Sequence, residues 1–146
     1  MMQDPTQLEN LKHDLLLDEG FRQYPYKDIN GILTIGIGRN LEQKGISLAE
    51  AKGLLQNDIA ETWNELVKLI PWFVNLDPIR QNVLMNLAFN LGVSGLMGFK
   101  KTLEYAKKAD FSNAAKELLD SKAARQLQKR YQRLAYELEF GKYAKT

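Results

Sequence analysis

The chain has 146 residues, of which 45% are hydrophobic and 26% are charged, as is ordinary for a single soluble globular domain. The absence of cysteine excludes disulfides, thiolate zinc sites and cysteine nucleophiles, and the single histidine, His13, argues against a serine–histidine triad. The net charge of +2 is small, but basic residues predominate from Lys100 onward. A basic region of this kind is suited to binding an anionic polymer. It is equally consistent with helices whose charged faces are solvated.

The N-terminal sequence MMQDPTQLENLKHD contains neither the basic region nor the apolar core of a secretory signal. No apolar run approaches the ~20 residues that a membrane-spanning helix needs. We therefore expect a protein that is made in the cytoplasm without a cleavable signal and does not insert into a membrane. A target outside the membrane would require release by a separate factor.

The first predicted helix begins at a capping box, Thr6 to Glu9, and ends at Gly20. This places Glu19 on the last turn, where the helix dipole disfavours an anion by a few tenths of a kcal/mol or more. A structural role therefore gives Glu19 little reason to be acidic. The apolar side of this helix is formed by Leu8, Leu11, Leu15 and Leu16.

Residues 21–39 are predicted to form a small β-hairpin whose second strand has the sequence ILTIGIG. The alternation predicts that Leu33, Ile35 and Ile37 pack on the core. The opposite face has few side chains, which suits a flat or extended ligand, although the glycines would equally relieve crowding. That face consists of Ile32, Thr34, Gly36 and Gly38.

The length of the hairpin loop decides where the Asp28 side chain points. A two-residue loop would turn Asp28 away from Thr34, whereas a three-residue loop, 29–31, would pair Asp28 with Ile32 and place it on the same face as Thr34. We favour the longer loop because it brings a carboxylate and a hydroxyl together, although Asp28 is also a typical turn residue. Two carboxylates and a hydroxyl fit general acid–base hydrolysis of a glycosidic bond.

The rest of the chain is predicted to be helical. A capping box, Ser47 to Glu50, opens a long helix that stops near Pro71, and Asp77 caps a helix that ends at Gly92. The second of these is apolar nearly all round, so we expect it to be a buried central helix. The remaining helices are predicted near 95–99, 102–108, 112–120 and 122–138.

These elements predict an α+β, mostly α-helical fold in one domain, 1–146. The prediction has a small β-hairpin N-terminal lobe at about 20–56, followed by a long connecting helix. Residues from about 57 to 146, together with the N-terminal helix, would form a helical C-terminal lobe. A two-lobed protein of this kind has a cleft, and clefts commonly hold functional sites.

The spacing of Glu19, Asp28 and Thr34 within DEGFR…YKD…G…TIGIG resembles that of the phage-type lysozymes. These are small muramidases that tailed bacteriophages use as endolysins, and they have a two-lobed, lysozyme-like fold. The resemblance covers nearly the whole chain. It continues through DPIRQNVLMNLAFNLGVSGLMGF, which resembles the buried helix of the family, and through FSNAAKELLDS, RYQRL and FGKY.

The resemblance implies hydrolysis of the β-1,4 bond between N-acetylmuramic acid and N-acetylglucosamine in peptidoglycan, with inversion. It makes Glu19 the general acid, while Asp28 and Thr34 position the attacking water. Arg130 would lie behind the catalytic glutamate and tie the lobes together; without the resemblance it would be a solvated helix residue. The resemblance implies no metal or organic cofactor, and we expect a monomer whose partner is the peptidoglycan glycan strand.

Further residues are predicted to bind substrate. Phe89 and Thr102 match positions where the family contacts saccharide, although by themselves they are typical of a core residue and a helix cap. Gly36, Gly38 and Asn40, at the end of the glycine-rich strand, complete the predicted set.

The connection from Asn40 to Ser47 is shorter than in the longest members of the family, and the sequence departs from the family in two further places. Arg39 stands where many relatives have histidine, so any ion pair at that corner must differ. Ala123 and residues 127–129 replace the usual Trp and Thr-Pro-Asn, a segment that normally helps to line the cleft. The second departure leaves open a peptidoglycan-binding or scaffolding domain without useful turnover. A nucleic-acid binder that uses the basic C-terminal helices is a third hypothesis, but it has no recognised motif, and we expect no nucleic acid partner.

Overall fold

The computed structural model describes residues 3–144, which form two compact units that divide between Leu54 and Leu55. The described residues contain eight α-helices, one 3₁₀ helix and a three-stranded antiparallel sheet. The prediction of a mostly helical α+β fold is therefore confirmed. The assignment of the N-terminal helix to the helical lobe stays a prediction.

The first unit contains the three-stranded sheet, whose strands lie side by side in chain order, and two complete helices. The sequence analysis missed the two-residue strand Arg39–Asn40 and the one-turn helix Leu41–Lys44, because such short elements show no hydrophobic period. The elements are α1 (Pro5–Glu19), β1 (Arg22–Lys27), β2 (Leu33–Gly36), β3 (Arg39–Asn40), α2 (Leu41–Lys44) and the start of α3 (Leu48–Leu69).

The predicted N-terminus of α1 was wrong, and its predicted C-terminus is confirmed. Asp4, not Thr6, is the N-cap: its carboxylate accepts the N–H of Thr6 at 2.9 Å, and Pro5 occupies the first turn. Aspartate before proline is a stronger start signal than a threonine inside the first turn. At the other end, Gly20 has φ 72° and donates its N–H to the carbonyl of Leu16, so Glu19 is the last helical residue.

The predicted core face of the hairpin was wrong. Leu33 and Ile37 are 37% and 50% exposed, whereas Thr34 is only 4% exposed. Strand β2 ends at Gly36, which has φ 69°, so the alternation stops before Ile37. Thr34 lies on the central strand, with Tyr26 paired on one side and Asn40 on the other.

The second unit is helical, and its core surrounds one helix. The predicted central helix, α4, buries Val83, Leu84, Leu87 and Ala88, as expected, and each buried leucine contributes roughly 1.5–3 kcal/mol. Among the described residues no single helix is long and apolar enough to span a membrane. After the end of α3 the elements are a 3₁₀ helix (Pro71–Asn75), α4 (Pro78–Met97), α5 (Lys100–Lys107), α6 (Phe111–Leu119), α7 (Lys122–Gln126) and α8 (Gln128–Phe140).

One predicted helix end in this unit is confirmed and one predicted helix needs correction. Gly92 has φ 74° and ψ 160°, a non-helical conformation that divides α4 into two helical segments, so the predicted helix end at Gly92 is confirmed. The predicted final helix, 122–138, is two helices that break at Leu127, where φ is −123° and ψ is 58°. No glycine or proline marks the break at Leu127, so it is not visible in the sequence. The predicted cap at Asp77 is confirmed, with its carboxylate 3.0 Å from the N–H of Arg80.

Arg80 fastens α4 to α8. Its guanidinium donates to the carbonyls of Leu138 at 2.6 Å and Glu139 at 2.7 Å, and its central carbon lies 3.6 Å from the ring centre of Phe111. These contacts satisfy carbonyls that the end of α8 leaves without partners. The first turn of α4 is thereby fixed to the last turn of α8, which aligns the two helices along their length.

The predicted change of ion pair at Arg39 is visible in the first unit. The Arg39 guanidinium forms a two-pronged contact with the carboxylate of Glu50 and donates to the carbonyl of Gly45 at 3.0 Å. Glu50 also accepts the N–H of Ser47, while the Ser47 hydroxyl accepts the N–H of Glu50, so the predicted capping box is confirmed. The Arg39 guanidinium and the Ser47 donors lower the pKa of Glu50 to about 2.

The Glu50 carboxylate makes the free energy of unfolding vary with pH in the acidic range. Because the pKa of Glu50 falls from 4.5 to about 2 on folding, its contribution is complete above pH 4.5 and is lost as the pH falls towards 2. We expect the melting temperature of Glu50→Gln to change less than that of the wild type between pH 4.5 and pH 2. Melting temperatures of both proteins between pH 6 and pH 2 test this; equal acid sensitivity would contradict it.

Candidate active site

The loop between β1 and β2 is the three-residue loop that the sequence analysis favoured. Asp28 and Ile32 are paired through the N–H of Asp28, which lies 2.9 Å from the Ile32 carbonyl. Gly31 donates its N–H to the Asp28 carbonyl at 2.9 Å and has φ 77°, a conformation that favours glycine. The two-residue alternative is therefore excluded.

The carboxylate of Asp28 organises this loop with one of its two oxygens. Oδ1 accepts the N–H groups of Asn30 at 2.8 Å and Ile32 at 2.9 Å. Asp28 is thus a turn-forming aspartate, as the simpler interpretation held. Its second oxygen, Oδ2, makes no hydrogen bond within residues 3–144 and remains able to accept one from water.

The side chains of Thr34 and Asp28 are both hydrogen-bonded to the backbone of Ile32. Its hydroxyl donates to the carbonyl of Ile32 at 2.8 Å, while the N–H of Ile32 binds Asp28. The backbone of Ile32 therefore connects the two predicted catalytic side chains. Because the single hydroxyl proton is already used, the oxygen of Thr34 offers a further partner only its acceptor lone pairs.

Glu19 lies against the turn between β2 and β3. A Cβ atom added to Gly38 would be 2.7 Å from Oε2 of Glu19 and 3.0 Å from its Cδ, so the carboxyl group rests directly on the glycine backbone. Gly38 also has φ 69°. The structure therefore gives Gly38 a contact with the predicted acid, which the sequence analysis did not foresee. Gly36 has open space around its Cα.

Asn40 is occupied by local structure. Its side-chain oxygen accepts the N–H of Gln43 at 3.0 Å, which caps α2, and the main chain of Asn40 is paired with Thr34. The next helix also supports β2, because Glu42 accepts the N–H of Leu33 at 2.9 Å. The assignments of Asn40, Gly36 and Gly38 to substrate binding stay predictions.

Arg130 and Phe89 line one groove in the second unit. This groove has a volume of about 540 Å³, and Phe89 is 42% exposed in it. Arg130 donates from Nε and Nη2 to the side-chain oxygen of Asn86, at 3.0 and 2.8 Å, so it is not a freely solvated residue. Asn86 was missed by the sequence analysis. The other lining residues are Leu55, Ile59, Trp63, Asn82 and Met85.

Thr102 is not the helix cap that its sequence position suggested. It lies inside α5, which begins at Lys100, so it is not the helix cap, and it is 2% exposed. It therefore offers almost no surface to a saccharide here, and its binding role stays a prediction. The altered segment forms the junction of α7 and α8, where residues 125–130 line a shallow depression of about 480 Å³. No group of three or more metal-ligating side chains occurs within residues 3–144.

The known proteins that are similar to this chain are named as lysozymes and an endolysin. Residues 17–137 match the family model described as phage lysozyme. Two proteins of Dictyostelium discoideum, probable T4-type lysozymes 1 and 2, are 27% and 28% identical, with 92% of this chain and 96% of theirs covered. The SAR-endolysin of Escherichia phage Mu is 30% identical over 59% of this chain and 51% of its own. The chain therefore belongs to the phage lysozyme family, a family of peptidoglycan-hydrolysing enzymes.

Proposed function

We propose that this protein is a glycoside hydrolase that cleaves the β-1,4 bond between N-acetylmuramic acid and N-acetylglucosamine in peptidoglycan, with inversion. Its proposed setting is lysis of a bacterial host through the cell wall, as the name of the similar endolysin suggests. Glu19 is the general acid, and Asp28 and Thr34 position the water. The proposal rests on family membership together with the geometry around Ile32.

The observation that carries the mechanism is the sharing of Ile32 by Asp28 and Thr34. Oδ2 of Asp28 and the lone pairs of the Thr34 oxygen are both acceptors, and water has two protons to donate. A water held between them presents its own lone pair to the anomeric carbon. Asp28 takes a proton as the oxygen–carbon bond forms, and Glu19 gives its proton to the departing sugar oxygen.

Arg130 has a supporting role in this proposal. The family resemblance assigns it to the support of Glu19, and within the second unit its guanidinium is held by the side-chain oxygen of Asn86. Phe89 remains the best substrate-binding candidate in this unit because it is exposed and lines the same groove. An aromatic face is suited to contact with the apolar face of a sugar ring.

The deciding experiment is incubation with purified peptidoglycan, followed by identification of the new reducing ends. Muramic acid ends support the proposal, whereas anhydro ends would indicate a lytic transglycosylase. Binding without release would favour the scaffolding alternative, whose support is the altered segment at the junction of α7 and α8.

Substitution of the acid tests the role of Glu19. Glu19→Gln keeps the shape of the side chain but has no proton to transfer, so we expect the rate to fall roughly 10²–10⁴-fold. Stability should be unchanged or raised, because an anion at a helix C-terminus is unfavourable. Asp14→Asn, at an exposed position in the same helix, is the matched control and should keep full activity. Wild-type rates for Glu19→Gln would remove Glu19 from the mechanism.

Gly38 tests the position of the acid separately from its chemistry. Gly38→Ala places a Cβ 2.7 Å from Oε2 of Glu19, so the carboxyl group must move, and we expect a loss of about 10²-fold in kcat. The control is Gly45→Ala, which also has positive φ, at 59°, but has no atom near the added Cβ. Both changes should cost about 1–2 kcal/mol of stability. Equal activities of the two variants would show that the contact is unimportant.

The first product anomer tests the role of Asp28. If Asp28 acts on water, cleavage of the β-linked glycan releases the α anomer first, and proton NMR of fresh product detects it before mutarotation. An initial β anomer, or a glycosyl ester trapped on Asp28, would instead make Asp28 a nucleophile.

A further inference from the structure

The turn on which Glu19 rests is followed by a strand of only two residues. An added Cβ on Gly38 would lie 2.7 Å from Oε2 of Glu19, so the backbone of this turn sets how closely the carboxyl group approaches. Strand β3, Arg39–Asn40, begins directly after Gly38 and forms two residue pairs with β2. Such short pairing holds a turn weakly, because even a complete two-stranded hairpin is only marginally stable by itself. The turn therefore needs a further anchor.

The side chain of Arg39 provides that anchor within the first unit. Its guanidinium forms the two-pronged contact with Glu50, in the first turn of α3, and donates to the carbonyl of Gly45, directly after α2. The side chains of Arg39 and Glu50 are 27% and 42% exposed, so water screens the attraction between their charges. The two parallel hydrogen bonds nevertheless fix the position of the guanidinium. The backbone that follows Gly38 is thereby tied to two helices.

A connected series of contacts thus runs from Glu50 through Arg39 and Gly38 to Glu19. All four residues belong to the first unit. Gly38 has no side chain that could rearrange, so a shift of its backbone directly moves the surface against which the carboxyl group rests. Release of the Arg39 guanidinium would allow such a shift without unfolding the sheet.

We propose that Arg39, held by Glu50, is a positioning residue for the hydrolysis, acting through the backbone of Gly38 on the carboxyl group of Glu19. Arg39 neither gives nor takes a proton in this role, since a guanidinium is not deprotonated in proteins. The inference rests on the proposed function, in which Glu19 is the general acid. A purely structural Arg39 would affect stability alone, whereas a positioning residue affects kcat in protein that is fully folded.

Substitution of Arg39 tests this proposal. Arg39→Gln removes the charge and the planar fork, and we expect kcat on purified peptidoglycan to fall roughly tenfold or more with KM changed less than about threefold, because small displacements of a catalytic group are costly. Arg39→Lys keeps the charge without the fork, so its kcat should lie between those of wild type and Arg39→Gln. Wild-type kcat for Arg39→Gln would contradict the proposal. Should Arg39→Gln not fold, Glu50→Gln, which can still accept the N–H of Ser47, takes its place.

Ser47→Ala is the matched control for stability. It removes the hydroxyl that accepts the N–H of Glu50, but it keeps the main-chain N–H of Ser47 and leaves the contact between Arg39 and Glu50 intact. We expect a lower melting temperature, as for the loss of a helix cap, together with wild-type kcat. A loss of kcat equal to that of Arg39→Gln would mean that any weakening of this corner reduces activity, which contradicts a specific role for Arg39.

A double-mutant cycle with Gly38→Ala identifies the route of the effect. The added Cβ of Gly38→Ala already displaces the carboxyl group of Glu19, so Arg39→Gln should lower kcat little further in that background. Multiplicative losses in kcat would contradict the proposal. Absence of new reducing ends with the wild-type protein would contradict the proposed function itself, whereas full activity of Arg39→Gln beside an active wild type contradicts only this inference.

Discussion

The first unit depends on the hydrogen bonds that the Asp28 carboxylate makes inside its own loop. By accepting the N–H groups of Asn30 and Ile32, it fixes a three-residue turn, and this turn sets the register of β2. The register in turn decides that Thr34, and not Leu33, is the buried residue of the central strand. One oxygen of the carboxylate thus builds the loop, which leaves the other oriented and free to accept a proton.

Unlike the Asp28 carboxylate, which stabilises its own loop, the Glu19 carboxylate lies where it is unfavourable for the fold. An acidic residue at the end of α1 opposes the helix dipole, and its close approach to the turn after β2 requires a glycine with positive φ. Neither feature stabilises the fold. The same features place a carboxyl group against main-chain atoms at a fixed point, as the proposed role of Glu19 as general acid requires. An arrangement that costs stability without an alternative structural benefit is typical of a functional site.

The sequence predicted those parts of the molecule that local chemistry determines. The capping box from Ser47 to Glu50, the end of α1 at Gly20, the three-residue turn and the central α4 follow from residue types and spacing. The break at Leu127 depends on tertiary packing, which no nearby residue encodes. The same holds for Asn86, because its partner Arg130 lies 44 positions away in the chain. Contacts of that kind are invisible to periodicity.

An enzyme and a scaffolding domain require different features of the candidate site. A domain that only holds glycan requires donors, acceptors and apolar surface, which the groove around Phe89 offers alone. It has no use for a hydroxyl whose proton is already bound, or for a carboxylate with one oxygen left for water. Nor would it gain from an acid at an unfavourable helix end. The proposed mechanism, in which a water molecule and a proton move, uses all three features, and this favours the enzyme over the scaffolding domain.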